Sequence, residues 1–360
     1  MASKHDPIRL KNYNIIFIEN IFKDIVKNLK KLVSAPFYAI ITDDNVKNLY
    51  GNDLFSILQN NDLNTFIYSI KPAENSKTRK TKARIEDWLL RLGCNRESVL
   101  IALGGGVVGD ITGFVASTFM RGIRYVQIPT TVLACADSSI GGKTGINVLR
   151  AKNIVGTFHP PKAVFVDVNL LKTLPERHFR NGFSEIIKIA AVCDRDFFEF
   201  IESFSITSLS SFSEKQKLLD IIYKAIKLKS EIVEKDERES NKRKILNFGH
   251  TIGHSIEAVS DQYLHGECVS IGMSYESMIA TELGVLKYED YRRLISLLIE
   301  FKLPTRVPLK MLQNIKFSEF ENFMRLDKKN KSNKSDYVQI VVLKSIGLVL
   351  KATQHQLKFP

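Results

Sequence analysis

The first half of the chain alternates short apolar runs with segments whose apolar residues recur at helical spacing. Glycines, prolines or acidic residues bound these runs, which is typical of buried strands. We predict strands at 37–44, 65–70, 98–106, 125–133 and 163–171, and a helix at 83–93 that ends at Gly93. This alternation predicts a Rossmann-like α/β fold with a mainly parallel sheet.

After Leu174 the period of the apolar positions becomes helical throughout. Helical spacing occupies 181–203, 214–235, 247–259, 266–284 and 288–301, and Pro304 and Pro308 then predict an extended connection. We predict a short closing hairpin within 338–350 and the weakest order in the polar loop 328–336. The pattern thus predicts two domains, an α/β domain at 1–174 and a mostly α-helical domain at 175–360.

Length and composition agree with this division. A chain of 360 residues exceeds what one hydrophobic core usually covers. No apolar run in the sequence is long enough to span a bilayer, and the start lacks the apolar segment of a signal peptide. The four cysteines show neither a CxxC pair nor disulfide spacing. We therefore expect a cytoplasmic protein with reduced thiols.

The formal net charge of +13 suits either nucleic acid or a small anionic substrate. Basic residues are spread along the chain, with local runs at 77–84 and 242–244, and aromatic residues do not interleave with them. This distribution disfavours a nucleic-acid-binding module, which stays as the distant alternative. Salt-sensitive binding to random duplex DNA without turnover would reveal such a module.

A glycine loop follows the predicted strand at 98–106. Gly104, Gly106 and Gly109 satisfy GxGxxG between a strand and a helix, where a pyrophosphate would meet the helix N-terminus. A tight strand–helix turn explains the same glycines without a ligand. Asp43 and Asp44 precede this loop, whereas the usual Rossmann acid follows it by about 20 residues. We therefore expect a variant nucleotide-binding fold.

A second loop, 129–147, is rich in hydroxyl groups and glycines around Asp137 and Lys143. It follows the strand next in sequence after the glycine loop. We expect it to cover the cofactor from the opposite side.

Three of the seven histidines lie within residues 247–267. His250 and His254 are four apart and share a helical face, with Asn247 one turn earlier, and His265 follows after a short loop. Imidazoles gathered in this way form a divalent metal site if a carboxylate joins them. A helix whose histidines are satisfied by other groups is the alternative.

A candidate carboxylate lies upstream in GFSEIIK. Glu185 and Lys188 share one face of the predicted helix at 181–203. The spacing alone does not decide which of the histidines would join Glu185 at a metal ion.

Seven motifs occur together in one order: GGGVVGDITGFVASTFMRGIRYVQIPTT, DSSIGGKTGIN, AKNIVG, GFSEIIK, NFGHTIGH, LHGE and LDKKN. Through them the chain resembles the 3-dehydroquinate synthases of the sugar phosphate cyclase superfamily, and most of all the corresponding domain of the fungal pentafunctional arom polypeptide. The resemblance implies an NAD- and zinc-dependent carbon–oxygen lyase, with Co²⁺ as another possible metal. It also implies a homodimer whose active site lies in the cleft between the two domains.

The implied reaction converts 3-deoxy-D-arabino-heptulosonate 7-phosphate to 3-dehydroquinate and phosphate in the shikimate pathway. It proceeds by NAD-mediated oxidation, β-elimination, reduction and an intramolecular aldol closure, so the cofactor is regenerated in each turnover. A substrate with a phosphate and a carboxylate agrees with the basic residues that lie within the motifs.

The resemblance also implies roles for individual residues. It assigns the metal to Glu185, His250 and His265, with His254 outside the ligand set. It assigns NAD to Asp43, Glu74, Lys77, Gly104, Gly105, Gly106, Val107, Asp110, Thr130, Thr131 and Thr173. It assigns substrate and catalytic contacts to Arg121, Asp137, Lys143, Lys152, Asn153, Lys188, Lys229, Glu239, Arg243, Asn247, His254 and Lys328, or its neighbour Lys329.

One departure and two enzyme alternatives stay open. Relatives often carry a Pro and a Gly before the Lys152–Asn153 pair, where this chain has Leu149, Arg150 and Ala151. Another sugar phosphate cyclase is one alternative, although the valiolone-type enzymes replace the counterpart of His254 with proline. 2-Deoxy-scyllo-inosose synthase departs in the loop that matches GGKTGIN, which is intact here. A glycerol or glycerol-1-phosphate dehydrogenase is the other alternative, and it would accumulate NADH.

Overall fold

The computed structural model describes residues 5–148, 151–308, 337–350 and 356–358. The chain divides into two compact units, Met1–Leu174 and Pro175–Pro360. The described strands are β1 (Ile8–Arg9), β2 (Asn14–Phe17), β3 (Tyr38–Asp43), β4 (Thr65–Ile70), β5 (Val99–Gly104), β6 (Arg124–Pro129), β7 (Lys143–Val148), β8 (Ala151–Phe158), β9 (Ala163–Val166), β10 (Tyr337–Gln339), β11 (Leu343–Ser345), β12 (Leu348–Val349) and β13 (Gln356–Lys358). The described helices are α1 (Ile21–Leu32), α2 (Asp44–Val46), α3 (Asn52–Gln59), α4 (Arg79–Arg91), α5 (Gly106–Thr118), α6 (Glu176–Cys193), α7 (Arg195–Glu202), α8 (Ile206–Ser210), α9 (Lys215–Lys235), α10 (His250–Val259), α11 (His265–Glu282) and α12 (Tyr288–Glu300).

The first unit is a doubly wound sheet with the strand order β1-β2-β9-β6-β5-β3-β4. Its strand pairs are parallel except β1–β2, where two residues add an antiparallel edge. β5 is buried along its whole length, as expected of a strand covered on both faces. The Rossmann-like α/β prediction is confirmed.

Two hydrophobic cores lie on opposite faces of this sheet. On one face α1 and α3 pack against alternate strand residues such as Ile40 and Ile101. On the other face α4 and α5 pack against the intervening residues, such as Ile41 and Ala102. Because side chains alternate along each strand, the continuous apolar runs in the sequence supply both cores.

An antiparallel hairpin of β7 and β8 stands apart from the main sheet and packs against α5. The sequence did not predict it. Its contact with α5 is made by small residues: a Cβ on Gly113 would lie 2.4 Å from Thr144 Cγ2. A surface built from glycine and threonine lacks the apolar alternation by which a half-buried strand is recognised.

The second unit is mostly helical, as predicted, with differences at the helix ends. The predicted helix at 181–203 is two helices, α6 and α7, because Asp194 leaves the helical conformation and its carboxylate caps α7 by accepting from Phe197 N at 2.8 Å. The predicted hairpin within 338–350 is confined to β11 and β12, which turn at Gly347 with φ of 84°. The predicted polar loop at 328–336 lies outside the described residues.

The predicted helix at 247–259 begins later than expected. Residues 242–247 form a 3₁₀ turn, and Gly249 then takes a left-handed φ of 76° before α10 starts at His250. Asn247 therefore does not share the helical face of His250 and His254, which corrects the prediction. Over the part of the chain that is described, the structure has no helix that combines the length and apolar character needed to cross a membrane.

Candidate functional site

The carboxyl ends of three central strands of unit 1 lie at one level. Gly104 at the end of β5 pairs with Pro129 of β6, and the β3–β5 register runs to Ile41 and Ala102, two residues before Asp43 and Gly104. The chain leaves β3 toward β4 on one side and later returns to β5 on the other. Ligands of doubly wound sheets bind where the strand order reverses in this way.

The helix that follows this edge offers an anion site. α5 begins at Gly106 after Gly105, so its first backbone N–H groups have no acceptor within the helix. A Cβ on Gly105 would lie 3.1 Å from Thr131 Cγ2, and one on Gly106 would lie 3.2 Å from Ser138 Oγ. The two glycines therefore keep the space open between the helix N-terminus and the loop after β6, which suits a pyrophosphate.

The other two glycines of the motif have a packing role. A Cβ on Gly104 would lie 2.7 Å from Val108, and one on Gly109 would lie 2.7 Å from Gln127 Oε1. The tight-turn interpretation of the motif therefore holds for these two positions. It does not account for Gly105 and Gly106.

The remaining cofactor candidates gather at the same edge. Asp43 caps α2, since its Oδ1 accepts from Asn45 N and Val46 N at 3.0 Å each. Burial raises the pKa of the Asp43 carboxyl above its ordinary value. Thr173 Oγ1 bonds to Tyr50 Oη at 2.7 Å. The eleven candidates follow the carboxyl ends of five strands: β3 (Asp43), β4 (Glu74, Lys77), β5 (Gly104, Gly105, Gly106, Val107, Asp110), β6 (Thr130, Thr131) and β9 (Thr173).

A hydrogen-bonded network joins several of these residues to the hairpin. Lys77 is buried, and its ammonium group donates to Asp110 and to Asn153. Burial raises the pKa of Asp110, and Lys77 opposes this effect. Asn147 Nδ2 donates to Glu74 Oε1 at 2.7 Å. The predicted cofactor residues Lys77 and Asp110 are thus linked to Asn153, a predicted substrate residue.

The other substrate candidates of unit 1 lie on different elements, and one of them lies at the opposite edge of the sheet. Asp137 lies in a helical turn after β6, Lys143 begins β7, and Lys152 is in β8. Arg121 ends a 3₁₀ turn, Phe119–Arg121, that follows the C-terminus of α5. Since β6 starts at Arg124, Arg121 is at the amino edge of the sheet. The structure therefore does not bring Arg121 to the edge that holds the other candidates.

In unit 2 the three predicted metal residues lie together. Glu185 Oε1 is 3.4 Å from His250 Nε2 and 3.3 Å from His265 Nε2. The ligand atoms of the three residues all lie within 4.8 Å of one another. Bonds of about 2.0–2.1 Å to a tetrahedral ion would set such atoms about 3.3 Å apart. The two distances from Glu185 match that separation.

The donor atoms are also poised for a cation. Glu185 is fully buried, and its Oε1 accepts no hydrogen bond from the described residues. Burial alone would raise the pKa of Glu185, but Lys188 and His250 hold it well below its usual range. A buried, ionised oxygen without a hydrogen-bond donor costs free energy that a bound cation removes. The cluster therefore fits zinc or a similar divalent ion.

The second nitrogen of each imidazole is already engaged. His250 Nδ1 lies 3.1 Å from Phe248 O, and His265 Nδ1 lies 3.3 Å from Glu257 Oε2. When Nδ1 is the donor and the ring is neutral, Nε2 can bind a metal beside Glu185 Oε1, which is the tautomer a metal ligand needs. Burial opposes protonation of His265, but Glu257 and Glu185 raise its pKa to about 10 in the metal-free cluster.

A second arrangement competes for His265. His254, Glu257 and His265 also offer ligand atoms within 4.8 Å of one another. A metal there would use His265 Nδ1, and Glu185 Oε1 would keep no partner for its buried charge. The geometry therefore favours Glu185, His250 and His265 as the metal group, with Glu257 as the hydrogen-bond acceptor beside His265.

Replacing Glu257 with glutamine separates these two arrangements. As an orienting acceptor Glu257 supports the ligand indirectly, so Glu257→Gln should weaken Co²⁺ or Zn²⁺ binding by about 10- to 100-fold. Glu185→Gln removes a ligand and should weaken binding much further. Both are measured by titration against a chromophoric chelator. Equal losses in the two variants would contradict the assignment.

Close packing of α10 against α11 brings His250 and His265 together. A Cβ on Gly272 would lie 1.9 Å from Gly249 O, and one on Gly253 would lie 2.9 Å from Cys268 O. Buried Glu276 of α11 accepts from Gly249 N at 2.8 Å and fixes the turn that precedes His250. Backbones can approach this closely only without side chains between them.

The contact between α6 and α11 places Glu185 beside His265. Asn181, one turn before Glu185, accepts from Gly266 N at 2.8 Å and so caps α11. A Cβ on Gly266 would lie 2.1 Å from Asn181 O. Asn181 and Gly266 therefore fix the position of Glu185 relative to His265.

Three buried cations belong to elements that pack together in unit 2. Lys188 on α6, Lys229 on α9 and Arg243 in the 242–247 turn are 2%, 5% and 2% exposed. Buried cations are rare unless they are paired or face a ligand. Glu239 Oε1 accepts from Asn247 Nδ2 at 2.9 Å beside this group. These residues, all predicted from the resemblance, suit an anionic substrate.

Some residues of the site were not predicted from the sequence, and two predicted residues lie outside the described ranges. The positions of Lys328 and Lys329 fall in the undescribed part. Glu257, Asn181, Glu276 and Asn147 were not predicted. The only signal for Glu257 was a carboxylate three residues after His254, which is too common in helices to single out.

Solved structures of known proteins share this fold. 2-Epi-5-epi-valiolone synthase from Streptomyces hygroscopicus subsp. jinggangensis 5008, with NAD⁺ and Zn²⁺ bound, superposes with a TM-score of 0.85 at 26% identity over 98% of this chain and 96% of that one. 2-Deoxy-scyllo-inosose synthase, complexed with carbaglucose-6-phosphate, NAD⁺ and Co²⁺, gives 0.85 at 26% identity over 96% of this chain and 94% of that one. The fold and the cluster place the chain in the sugar phosphate cyclase class.

Sequence comparison is more specific. Residues 67–181 match the family described as 3-dehydroquinate synthase N-terminal, and residues 182–330 match 3-dehydroquinate synthase C-terminal. The chain is 43% identical to the 3-dehydroquinate synthase of Thermodesulfovibrio yellowstonii over 94% of its own length and 92% of that protein. The chain belongs to the 3-dehydroquinate synthase family.

A multifunctional relative is equally similar over a smaller share of its length. The chain is 42% identical to the pentafunctional AROM polypeptide of Candida tropicalis over 94% of its own length. It spans only 23% of that polypeptide. The similarity therefore concerns one segment of the relative.

Proposed function

We propose that this protein is a 3-dehydroquinate synthase that converts 3-deoxy-D-arabino-heptulosonate 7-phosphate to 3-dehydroquinate and phosphate, as a lyase dependent on NAD and a divalent metal. The observation that carries the proposal is the 43% identity to a bacterial 3-dehydroquinate synthase over nearly the whole of both chains. The Glu185–His250–His265 cluster and the open helix N-terminus at Gly105–Gly106 supply sites for the metal and the cofactor.

The protein's own groups divide the work between binding and proton transfer. Bound NAD⁺ would take and return a hydride, while the divalent ion would stabilise negative charge on a substrate oxygen. Glu185 supplies the anionic ligand, and Glu257 holds His265 in the tautomer that presents Nε2. His254, whose ring centroid is 5.1 Å from that of His250, is the candidate to move a proton beside the metal ligands.

The buried cations bind the negative groups of the substrate. Lys229 and Arg243 neutralise a phosphate or carboxylate, and Lys188 already pairs with Glu185. Charge placed before the substrate arrives stabilises an anion without reorganisation during the reaction. In unit 1, Lys143, Lys152 and Asn153 are the proposed substrate contacts, while Arg121 stays a prediction without a described partner group in the site.

The test is product formation with purified, metal-loaded protein. We expect the heptulosonate phosphate, NAD⁺ and Zn²⁺ to yield 3-dehydroquinate and one equivalent of phosphate without net NADH. Glu185→Gln is the inactive control, since it keeps the size of the side chain and removes the ligand charge. Carbocycle formation from glucose 6-phosphate with no turnover of the heptulosonate would point instead to another cyclase of the class.

A dehydrogenase is the second candidate from the fold. Glycerol dehydrogenase from Schizosaccharomyces pombe superposes with a TM-score of 0.61 at 16% identity, a likeness that concerns the fold alone. Stoichiometric NADH accumulation with glycerol or glycerol 1-phosphate, and none of the cyclase products, would favour this candidate over the cyclase.

The charge of Asp43 predicts the choice of cofactor. If the adenine ribose lies at Asp43, NADPH should bind at least about tenfold more weakly than NADH, because like charges about 8 Å apart repel by about 2 kcal/mol near a protein surface. Asp43→Asn keeps the oxygen that caps α2 but removes the charge, so it should reduce the difference between the affinities for NADH and NADPH. Asp44→Asn, at the next and exposed position, is the matched control. Fluorescence titration measures both, and equal NADH and NADPH affinity in the unaltered protein would contradict the placement.

We further propose that the protein acts as a homodimer in the cytoplasm. The support is the family resemblance for the dimer, and for the compartment the observation that Cys94, Cys135, Cys193 and Cys268 form no disulfide with one another. Sedimentation of the metal-loaded protein tests the first proposal.

A further inference from the structure

The hairpin of β7 and β8 contains a bulge where the chain presents its predicted substrate residues. The ladder shifts register between Ile146 and Val148, so that Asn147 alone faces the three residues 152–154. A bulge leaves residues unpaired, bends the strand and re-aims its side chains. Lys152 and Asn153 lie inside this bulge.

The side chain of Asn147 forms a hydrogen bond to the backbone of the bulge. Its Oδ1 accepts from Asn153 N at 3.0 Å, and Asn153 has a left-handed φ of 54°, which is disfavoured for a residue with a Cβ. A sparsely populated conformation persists only where its surroundings impose it. The amide of Asn147 is part of what imposes this one.

The same residue is bonded to the segment that follows β4. Asn147 Nδ2 donates to Glu74 Oε1 at 2.7 Å, and Asn147 N donates to Lys77 O at 2.8 Å. The Lys77 ammonium group then returns to Asn153 Oδ1 and closes a ring of hydrogen bonds. One half-buried amide therefore connects the 74–77 segment with the bulge.

We propose that Asn147 is a positioning residue that couples the cofactor segment to the substrate segment. The inference rests on the proposed function, which assigns the cofactor to Glu74 and Lys77 and the phosphorylated sugar acid to Lys152 and Asn153. A ligand that orders either segment orders the other through Asn147. The substrate therefore binds more tightly to the protein that already holds NAD⁺.

Asn147→Ala removes both side-chain hydrogen bonds. In the full-length, metal-loaded protein the Kd for NADH, followed by its fluorescence, should rise about tenfold, since a hydrogen bond to a carboxylate contributes on this scale. The KM for the substrate should rise by a similar factor while kcat changes by less than about threefold, because the proposed role of Asn147 is to position binding residues and not to contact the reacting atoms. Asn60→Ala, at an exposed position after α3, is the control and should match the unaltered protein.

Exchanging the carboxylate and the amide between Asn147 and Glu74 tests the hydrogen bond between these two residues. Asn147→Asp keeps the acceptor for Asn153 N but places a second carboxylate beside Glu74, so NADH binding should weaken. Adding Glu74→Gln supplies a donor facing that carboxylate and should recover part of the loss. The combined effect should therefore be smaller than the product of the two single effects, by about fivefold or more. Multiplicative single effects would overturn the coupling.

The outcomes separate this inference from the proposed function. If the unaltered protein makes no 3-dehydroquinate, the proposed function fails, and the NADH titrations still decide the role of Asn147. If Asn147→Ala has a native circular dichroism spectrum and binds NADH as the unaltered protein does, the inference is wrong. If Asn147→Ala fails to fold, the isosteric Asn147→Asp variant and its pair with Glu74→Gln supply the decision.

Discussion

Replacing His250 with alanine should abolish turnover and remove the tight divalent-metal site while leaving the protein folded. His250 Nε2 is 3.4 Å from Glu185 Oε1, and its Nδ1 lies 3.1 Å from Phe248 O, so alanine removes a nitrogen that is already oriented toward the carboxylate. The loss of affinity should exceed the roughly 100-fold that removal of a ligand's hydrogen-bonding partner costs. Co²⁺ absorption and chelator competition measure the affinity, and circular dichroism monitors the fold.

Two other histidines make this prediction specific. His178→Ala, at an exposed position on the same helix as Glu185, should change neither metal binding nor turnover. His254→Ala should reduce turnover but change metal affinity by only a few-fold, since His254 lies outside the proposed ligand set. Tight metal binding by His250→Ala together with its loss in His254→Ala would favour the competing arrangement around Glu257.

Gly272→Ala should lower the stability of the protein strongly. Its Cβ would lie 1.9 Å from the backbone oxygen of Gly249, and a backbone atom cannot move aside as the end of a side chain can. The helices α10 and α11 must separate, at a cost of about 3 kcal/mol or more. Because His250 follows Gly249 directly, the same displacement should weaken metal binding. Denaturant unfolding and Co²⁺ titration measure the two effects.

Gly284→Ala is the matched control for that variant. Gly284 follows the same helix with φ of 69°, and among the described residues no atom beyond its two chain neighbours lies within 4 Å of its added Cβ. The substitution should cost only about 1 kcal/mol, the strain of a left-handed alanine, and leave the metal affinity unchanged. Equal losses of stability in the two variants would show that helix propensity, and not the contact with Gly249, sets the cost.

The elements that the sequence predicted well are those whose own side chains make the core. Ile40 and Ile101 belong to uninterrupted apolar runs, and such runs mark strands covered on both faces. The metal residues were predicted through the family resemblance, and the helical spacing of Glu185 and Lys188 placed that pair correctly. In these cases the information lies within a few residues of one segment.

The features that the sequence did not reveal depend on contacts between distant segments. The hairpin of β7 and β8 packs through Gly113 and Thr144, which carry little apolar signal. Glu257 acquires its role only because the loop between α10 and α11 returns His265 to within 3.3 Å of it. Asn247 was placed on the wrong face because a left-handed glycine separates it from α10. Local periodicity carries no information about such contacts.

The pairing of β2 with β9 has a consequence for the order in which unit 1 is assembled. Asn14 lies beside Ala163, and Asp167 accepts from Ile21 N across 146 residues of chain. Contacts of such long sequence separation form late, because much chain entropy is lost before they become favourable. During synthesis β2 must therefore wait, without its parallel partner, until β9 has left the ribosome. We therefore expect the sheet to form first around β3 and β5, and β2 to join it late although it is made early.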